Sequence, residues 1–159
     1  MALRLADLDP SLCRALVGAT GSLAGALLAW SLAQQEFYLL WTLSSASLLF
    51  LLGRRFPATE GTARGAAWLC GTLLRNSAGL LLTVAWLQGP SLLSLITAFW
   101  AFRLFAELRP AGLAFLNGRE GGIWSRMADL SPGLWAFFVV MLPLRMWVEA
   151  PWQASAGVH

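Results

Sequence analysis

Apolar residues in this chain come in long blocks, not in the short alternating runs of a half-buried strand. Five blocks stand out, over about 12–33, 37–52, 65–87, 91–108 and 133–148. A helix that crosses the hydrocarbon core of a bilayer needs roughly 20 apolar residues, with about 17–25 as the usual range. The blocks therefore predict an all-α integral membrane protein, a bundle of about five transmembrane helices forming a single domain. Asp9-Pro10 supplies a cap and a first-turn proline for the first helix, and Gly89-Pro90 and Ser131-Pro132 open the fourth and fifth in the same way. Pro143 falls inside the fifth block and predicts a kink, because its ring displaces one backbone hydrogen bond.

The polar stretches between the blocks differ in length and charge. Residues 34–36 and 88–91 are so short that each predicts an antiparallel helical hairpin, and neither carries a basic residue. The other connections carry Arg54, Arg55 and Arg64, then Arg109, Arg119 and Arg126, and the N-terminal arm carries Arg4 and Arg14. Basic residues are retained on the cytoplasmic side of a membrane, so this distribution places the N-terminus in the cytoplasm and the C-terminus outside. Tryptophans favour the membrane interface. Trp30, Trp41, Trp86, Trp147 and Trp152 fall near the expected outer ends and Trp68, Trp124 and Trp135 near the inner ends, which leaves Trp100 deep in a span.

Two stretches fit the pattern less simply. In the segment 111–130, Ile123, Trp124, Met127 and Leu130 recur at helical spacing among Arg119, Glu120, Arg126 and Asp129. This predicts a short amphipathic helix on the cytoplasmic surface before the last span, with a loop packed on its neighbours as the alternative. Ser31-Leu32-Ala33 resembles a leader cleavage site, but the acids Asp7 and Asp9 and the long apolar run favour an anchoring span.

Composition agrees with a membrane protein: 58% of residues are hydrophobic and 12% charged, against about half and a quarter in globular domains. All eleven basic residues are arginine, and isoleucine occurs only at 96 and 123. Such usage is that of a GC-rich genome and predicts a bacterial inner-membrane location. Chemistry is sparse. The one histidine is His159, and Cys13 and Cys70 are too far apart in sequence for a CxxC motif. No HExxH, GxSxG, glycine-rich phosphate loop or pair of intramembrane aspartates is present, so neither an enzyme, a metal site nor a cofactor is predicted, although bound lipid is compatible with the pattern.

The candidate site is the stretch Gly71–Trp86, which places Arg75 and Asn76 where a span should be driest. Arg103 lies as far after the turn near Gly89 as Arg75 lies before it, so both fall about 20 Å from that turn at 1.5 Å per residue. Gly71, Thr72, Arg75, Asn76, Ala78, Gly79 and Thr83 form a small and polar stripe, with Leu73, Leu74, Leu80 and Leu81 away from it. Arg75 is thus expected to point into the bundle. Three readings stand side by side. Arg75 pairs with Glu107 or caps free carbonyls and fixes helix packing. Alternatively it stretches toward the cytoplasmic headgroups. In the third reading Arg75, Asn76 and Arg103 bind an anion or a lipid head, with Glu107 trimming the charge.

A second face, Gly18, Gly21, Ser22 and Gly25, suits close approach of another helix, either in this chain or in a partner. These features predict a non-catalytic multi-pass protein, most simply an accessory, assembly or scaffolding subunit of a larger inner-membrane complex. The alternative is a small carrier or lipid-handling protein built on Arg75 and Arg103. Expected partners are membrane lipids and other integral-membrane subunits or a second copy, and not nucleic acid.

Overall fold

The computed structural model describes residues 9–56, 65–87, 90–108 and 131–148. Helices occupy all five apolar blocks, and no strand occurs among the described residues. They are α1 (Pro10–Leu32), α2 (Tyr38–Gly53), α3 (Ala66–Val84), α4 (Leu92–Leu108) and a last rod. The rod consists of α5 (Ser131–Ala136), a π-helical turn (Phe137–Met141) and α6 (Leu142–Val148). The segment 111–130, with its expected surface helix, lies outside the described residues, as do Arg4, Arg64, Arg109, Arg119, Arg126 and Trp152.

Of these helices only α1, over Leu12–Leu32, is both long and apolar enough to cross a membrane. Tyr38–Gly53 and Pro132–Trp147 are apolar but shorter. The reason α3 falls short is its content of Thr72, Arg75, Asn76, Ser77 and Thr83. It is the hub of the bundle, packed against α1, α2, α4 and α5. Neighbouring helices surround it, so its own sequence need not be apolar on every side.

Contacts fix the directions. Gly21 lies against Leu73 and Asn76, and Gly25 against Ser77 and Leu80, so α1 and α3 run parallel. Gly53 meets Leu74 and Arg75, whereas Tyr38 reaches Val84, so α2 is antiparallel to α3. Gly79 meets Phe102 and Asn76 meets Arg103, so α4 is antiparallel as well. The rod runs with α3 but starts part-way along it. Gly133 rests on the carbonyl of Gly79 and accepts a 3.3 Å bond from Thr83 Oγ1, and Phe137 packs beside Trp86.

The main core joins Ala29, Ala46, Leu80, Leu81, Val84, Leu95, Ala98, Ala101, Phe102, Ala136 and Met141. A second cluster gathers Cys13, Val17 and Trp68 between α1 and α3. Leu80 and Leu81 are fully buried because α3 is covered on the side opposite its polar stripe too. Trp68, in the first turn of α3 as expected of a residue near an inner end, has its ring buried against α1. The outward faces are nevertheless strongly apolar. Leu12, Leu16, Leu23 and Leu27 on α1, Leu40, Leu48 and Leu51 on α2, and Leu93, Ile96, Trp100 and Leu104 on α4 are all exposed. Phe138, Met146 and Trp147 continue this surface along the last rod.

Local chemistry explains several boundaries. Proline at 10 needs no amide partner in the first turn of α1, and Cys13 N–H closes that turn on the Asp9 carbonyl at 2.9 Å. For α4 the cap is Ser91 and not the Gly89-Pro90 pair: Ser94 N–H donates to Ser91 Oγ at 3.2 Å, leaving Pro90 outside the helix. Pro143 has no N–H for the carbonyl four residues back. The backbone widens just before it into the π-helical turn, and Leu142 N–H bonds to Phe137 O.

Candidate functional site

The four polar residues singled out on α3 and α4 separate into two clusters. In the first, the Arg103 guanidinium bridges three helices. It donates to Asn76 Oδ1 on α3 at 3.2 Å, to the Ala15 carbonyl on α1 at 3.3 Å, and pairs with Glu107 one turn along α4. Asn76 is oriented for this role, because its Nδ2 donates to Thr72 O at 2.8 Å and leaves Oδ1 facing Arg103. Gly18 makes the space: a Cβ there would collide with the Arg103 guanidinium.

In the second cluster, Arg75 turns to α2. Its Nη1 donates to Gly53 O at 2.9 Å and its Nη2 lies 3.5 Å from Thr72 Oγ1. Gly53 is the last residue of α2, where carbonyls lack a helical partner. The arginine therefore caps a neighbouring helix. Gly71 completes the corner, since a Cβ there would stand 2.6 Å from Phe56 Cβ. Arg75 and Asn76 are adjacent in sequence, yet their side chains bond to different helices.

Of the three readings of Arg75, the cluster geometry matches carbonyl capping, with one change of partner: it is Arg103, not Arg75, that pairs with Glu107. Arg75 and Arg103 lie at similar height, because Arg103 bonds to the residue next to Arg75. Each donates to a backbone carbonyl, and a hydrogen bond from a charged group contributes about 1.5–3 kcal/mol when it is not left to water.

The glycine face of α1 is occupied within the chain. A Cβ on Gly21 would approach Leu73 O to 2.7 Å, and one on Gly25 would approach Ser77 O to 2.7 Å. Ser22 is buried and bonds back to Gly18 O at 2.8 Å. Across the seam Ser77 Oγ donates to Gly21 O at 2.7 Å. Small residues here let two helix backbones approach closely enough for a side chain to reach the facing main chain.

Sequence reasoning passed over Tyr38, Gly53, Ser77 and Ala15. Tyr38, the only tyrosine, donates to Val84 O at 3.0 Å and ties the start of α2 to the end of α3. Being the sole phenol at a helix start was a usable signal. Ala15 and Gly53 contribute only carbonyls, which no side-chain pattern reveals. At the far end of the bundle Arg145 Nη1 donates to Trp86 O at 2.9 Å, just past the end of α3.

Among the described residues no group of three or more His, Cys, Asp or Glu is placed to hold a metal ion. Cys13 is buried and Cys70 exposed, and both are free thiols. A surface hollow of about 440 Å³ at the α1–α2 turn is lined by Gln35, Glu36 and Tyr38 with apolar neighbours, and Glu36 is its only charged group. What the arrangement does chemically is hold helices together by charge-assisted bonds to main-chain oxygens. No protein-family model, curated protein or solved structure matches the chain.

Proposed function

We propose that this chain is a multi-pass membrane protein, N-terminus in the cytoplasm and C-terminus outside, that serves as a non-catalytic accessory, assembly or scaffolding subunit of a larger inner-membrane complex. The observation that carries the membrane reading is an inverted distribution of polarity. Ser22, Thr42, Thr72, Ser77 and Thr83 are buried, while leucines, tryptophans and phenylalanines cover the outward sides of α1, α2, α4 and the last rod. A protein surrounded by water rarely exposes contiguous apolar patches beyond a few hundred Å². In hydrocarbon the same surface is stable, and polar groups must find partners inside. The hydroxyls of Thr20, Ser31 and Thr97 follow that rule on the surface itself, each donating to the carbonyl four residues back.

Charge supports the orientation. Arg14, Arg54 and Arg55 are exposed at the end where α1 and α3 begin, and Gln34, Gln35 and Glu36 at the other. The subunit reading rests on the engagement of the candidate groups in internal bonds and on the apolar α6, where Leu144, Met146 and Trp147 stand exposed. An anion carrier on Arg75 and Arg103 draws less support, since each arginine would have to release a backbone carbonyl to take a ligand.

Alkaline carbonate washing of membranes from expressing cells tests the first step: the protein should stay in the pellet and leave it only with detergent. Release into the supernatant would end the membrane reading. Purification in mild detergent followed by native mass spectrometry tests the second step. Co-purification of defined integral-membrane proteins in fixed ratio is expected, and a lone monomer that nonetheless transports a small acid into vesicles would replace the subunit reading with the carrier.

A further inference from the structure

The end of α2 is built as a platform. Gly53 O accepts from Arg75 Nη1 at 2.9 Å and from Phe56 N–H at 3.3 Å, and Arg55 N–H bonds to Leu52 O at 3.1 Å. Phe56 is pressed onto α3 at Gly71, where only the missing Cβ makes room. The turn that carries Arg54 and Arg55 is therefore held from below by α3. Both guanidinium-bearing residues are exposed, and neither is paired with an acid among the described residues. Immediately before them Leu51 and Leu52 are exposed as well. Three residues of helix span about 4.5 Å, so an apolar surface gives way to two exposed cations on a held backbone turn within one turn of helix. That order, hydrocarbon and then positive charge, is complementary to an acyl chain followed by its phosphate.

We infer that the Arg54–Arg55 corner, seated by Arg75, binds the phosphodiester of an anionic phospholipid whose acyl chains lie along Leu51 and Leu52. The inference rests on the membrane reading proposed above. Arg75 holds the turn that carries the two arginines through its bond to the Gly53 carbonyl. Planar guanidinium forks suit phosphate oxygens because they donate two parallel hydrogen bonds. The opposite end of the α1–α2 pair presents Glu36, which disfavours the same headgroup there.

The test uses the full chain in mild detergent with added phosphatidylglycerol or phosphatidylcholine, read by native mass spectrometry and by thermal unfolding. Phosphatidylglycerol should be retained in preference and should raise the unfolding temperature more. With about 1 kcal/mol per surface arginine, Arg54→Gln or Arg55→Gln should each lower the preference about fivefold and the double variant roughly 30-fold. Lysine at both positions should restore most of it, which separates charge from folding. An unchanged preference in the folded double variant overturns the site. Stabilisation by inorganic phosphate alone, equal to that by the lipid, also overturns it in favour of a free-anion site. The carbonate wash keeps the two failures apart: a protein that stays in the pellet but shows no lipid preference refutes the corner and leaves the membrane reading intact.

Discussion

The seams that α3 makes with α1 and with α2 are fastened in different ways. Against α1 the contact is closest in the middle, where Gly21 and Gly25 lie on the backbone of α3 and Ser77 reaches the Gly21 carbonyl. Against α2 the strong links are at the ends, Tyr38 to Val84 O at one and Arg75 to Gly53 O at the other. Between those links Thr42 is fully buried, one turn from the Tyr38 phenol, and its hydroxyl makes no hydrogen bond of good geometry among the described residues. A seam held by close packing fails when volume is added anywhere along it. The α2 seam is packed between its links as well, with Thr42 and Ala46 buried, but it adds a side-chain donor at each end, so removal of one donor loosens that end first.

The contrast is open to attack by substitution, with unfolding in mixed micelles as the measurement. Gly25→Leu should cost most, about 3 kcal/mol, since the new side chain meets the Ser77 backbone and no flexible tip can yield. If it proved milder than loss of Arg75, the closely packed seam would not be the stronger one. Arg75→Gln should cost roughly 2 kcal/mol by leaving the last carbonyl of α2 without its charged donor, and lysine should recover only part. Tyr38→Phe should cost about 1 kcal/mol, a single neutral hydrogen bond. Thr42→Val should be the mildest and of opposite sign, a gain of up to about 1 kcal/mol, because it removes a buried hydroxyl that makes no hydrogen bond of good geometry. Destabilisation by Thr42→Val would mean that the hydroxyl bonds to the Tyr38 phenol one turn away and that the two residues fasten the α2 seam together.

Much of the architecture was legible in the sequence because long apolar blocks and short polar turns depend on local pattern. The helices at 10–32 and 92–108 follow from it, as does the small-residue face of α1. What could not be read is the degree to which a helix is surrounded. The stripe containing Arg75 and Asn76 was recognisable, but the burial of Leu80 and Leu81 on the other side depends on partners recruited from α1, α2, α4 and the last rod. The same limit explains the site. Matching distances from the turn gave Arg75 and Arg103 a common height, and height is all that spacing along a hairpin provides. Their directions come from which carbonyls can take a second donor nearby, Gly53 at a helix end and Ala15 beside a glycine gap, and a main-chain oxygen leaves no mark in a side-chain pattern.

The π-helical turn ahead of Pro143 sets an angle as well as easing a proline. One residue more in a turn rotates everything after it by about 100° around the helix axis. Arg145 comes after that rotation and finds the carbonyl of Trp86. Shortening the stretch 137–141 by one residue would swing the guanidinium away from this oxygen and toward the surroundings of the bundle. A single widened turn thereby decides whether the chain's last described cation faces its own protein or whatever encloses it.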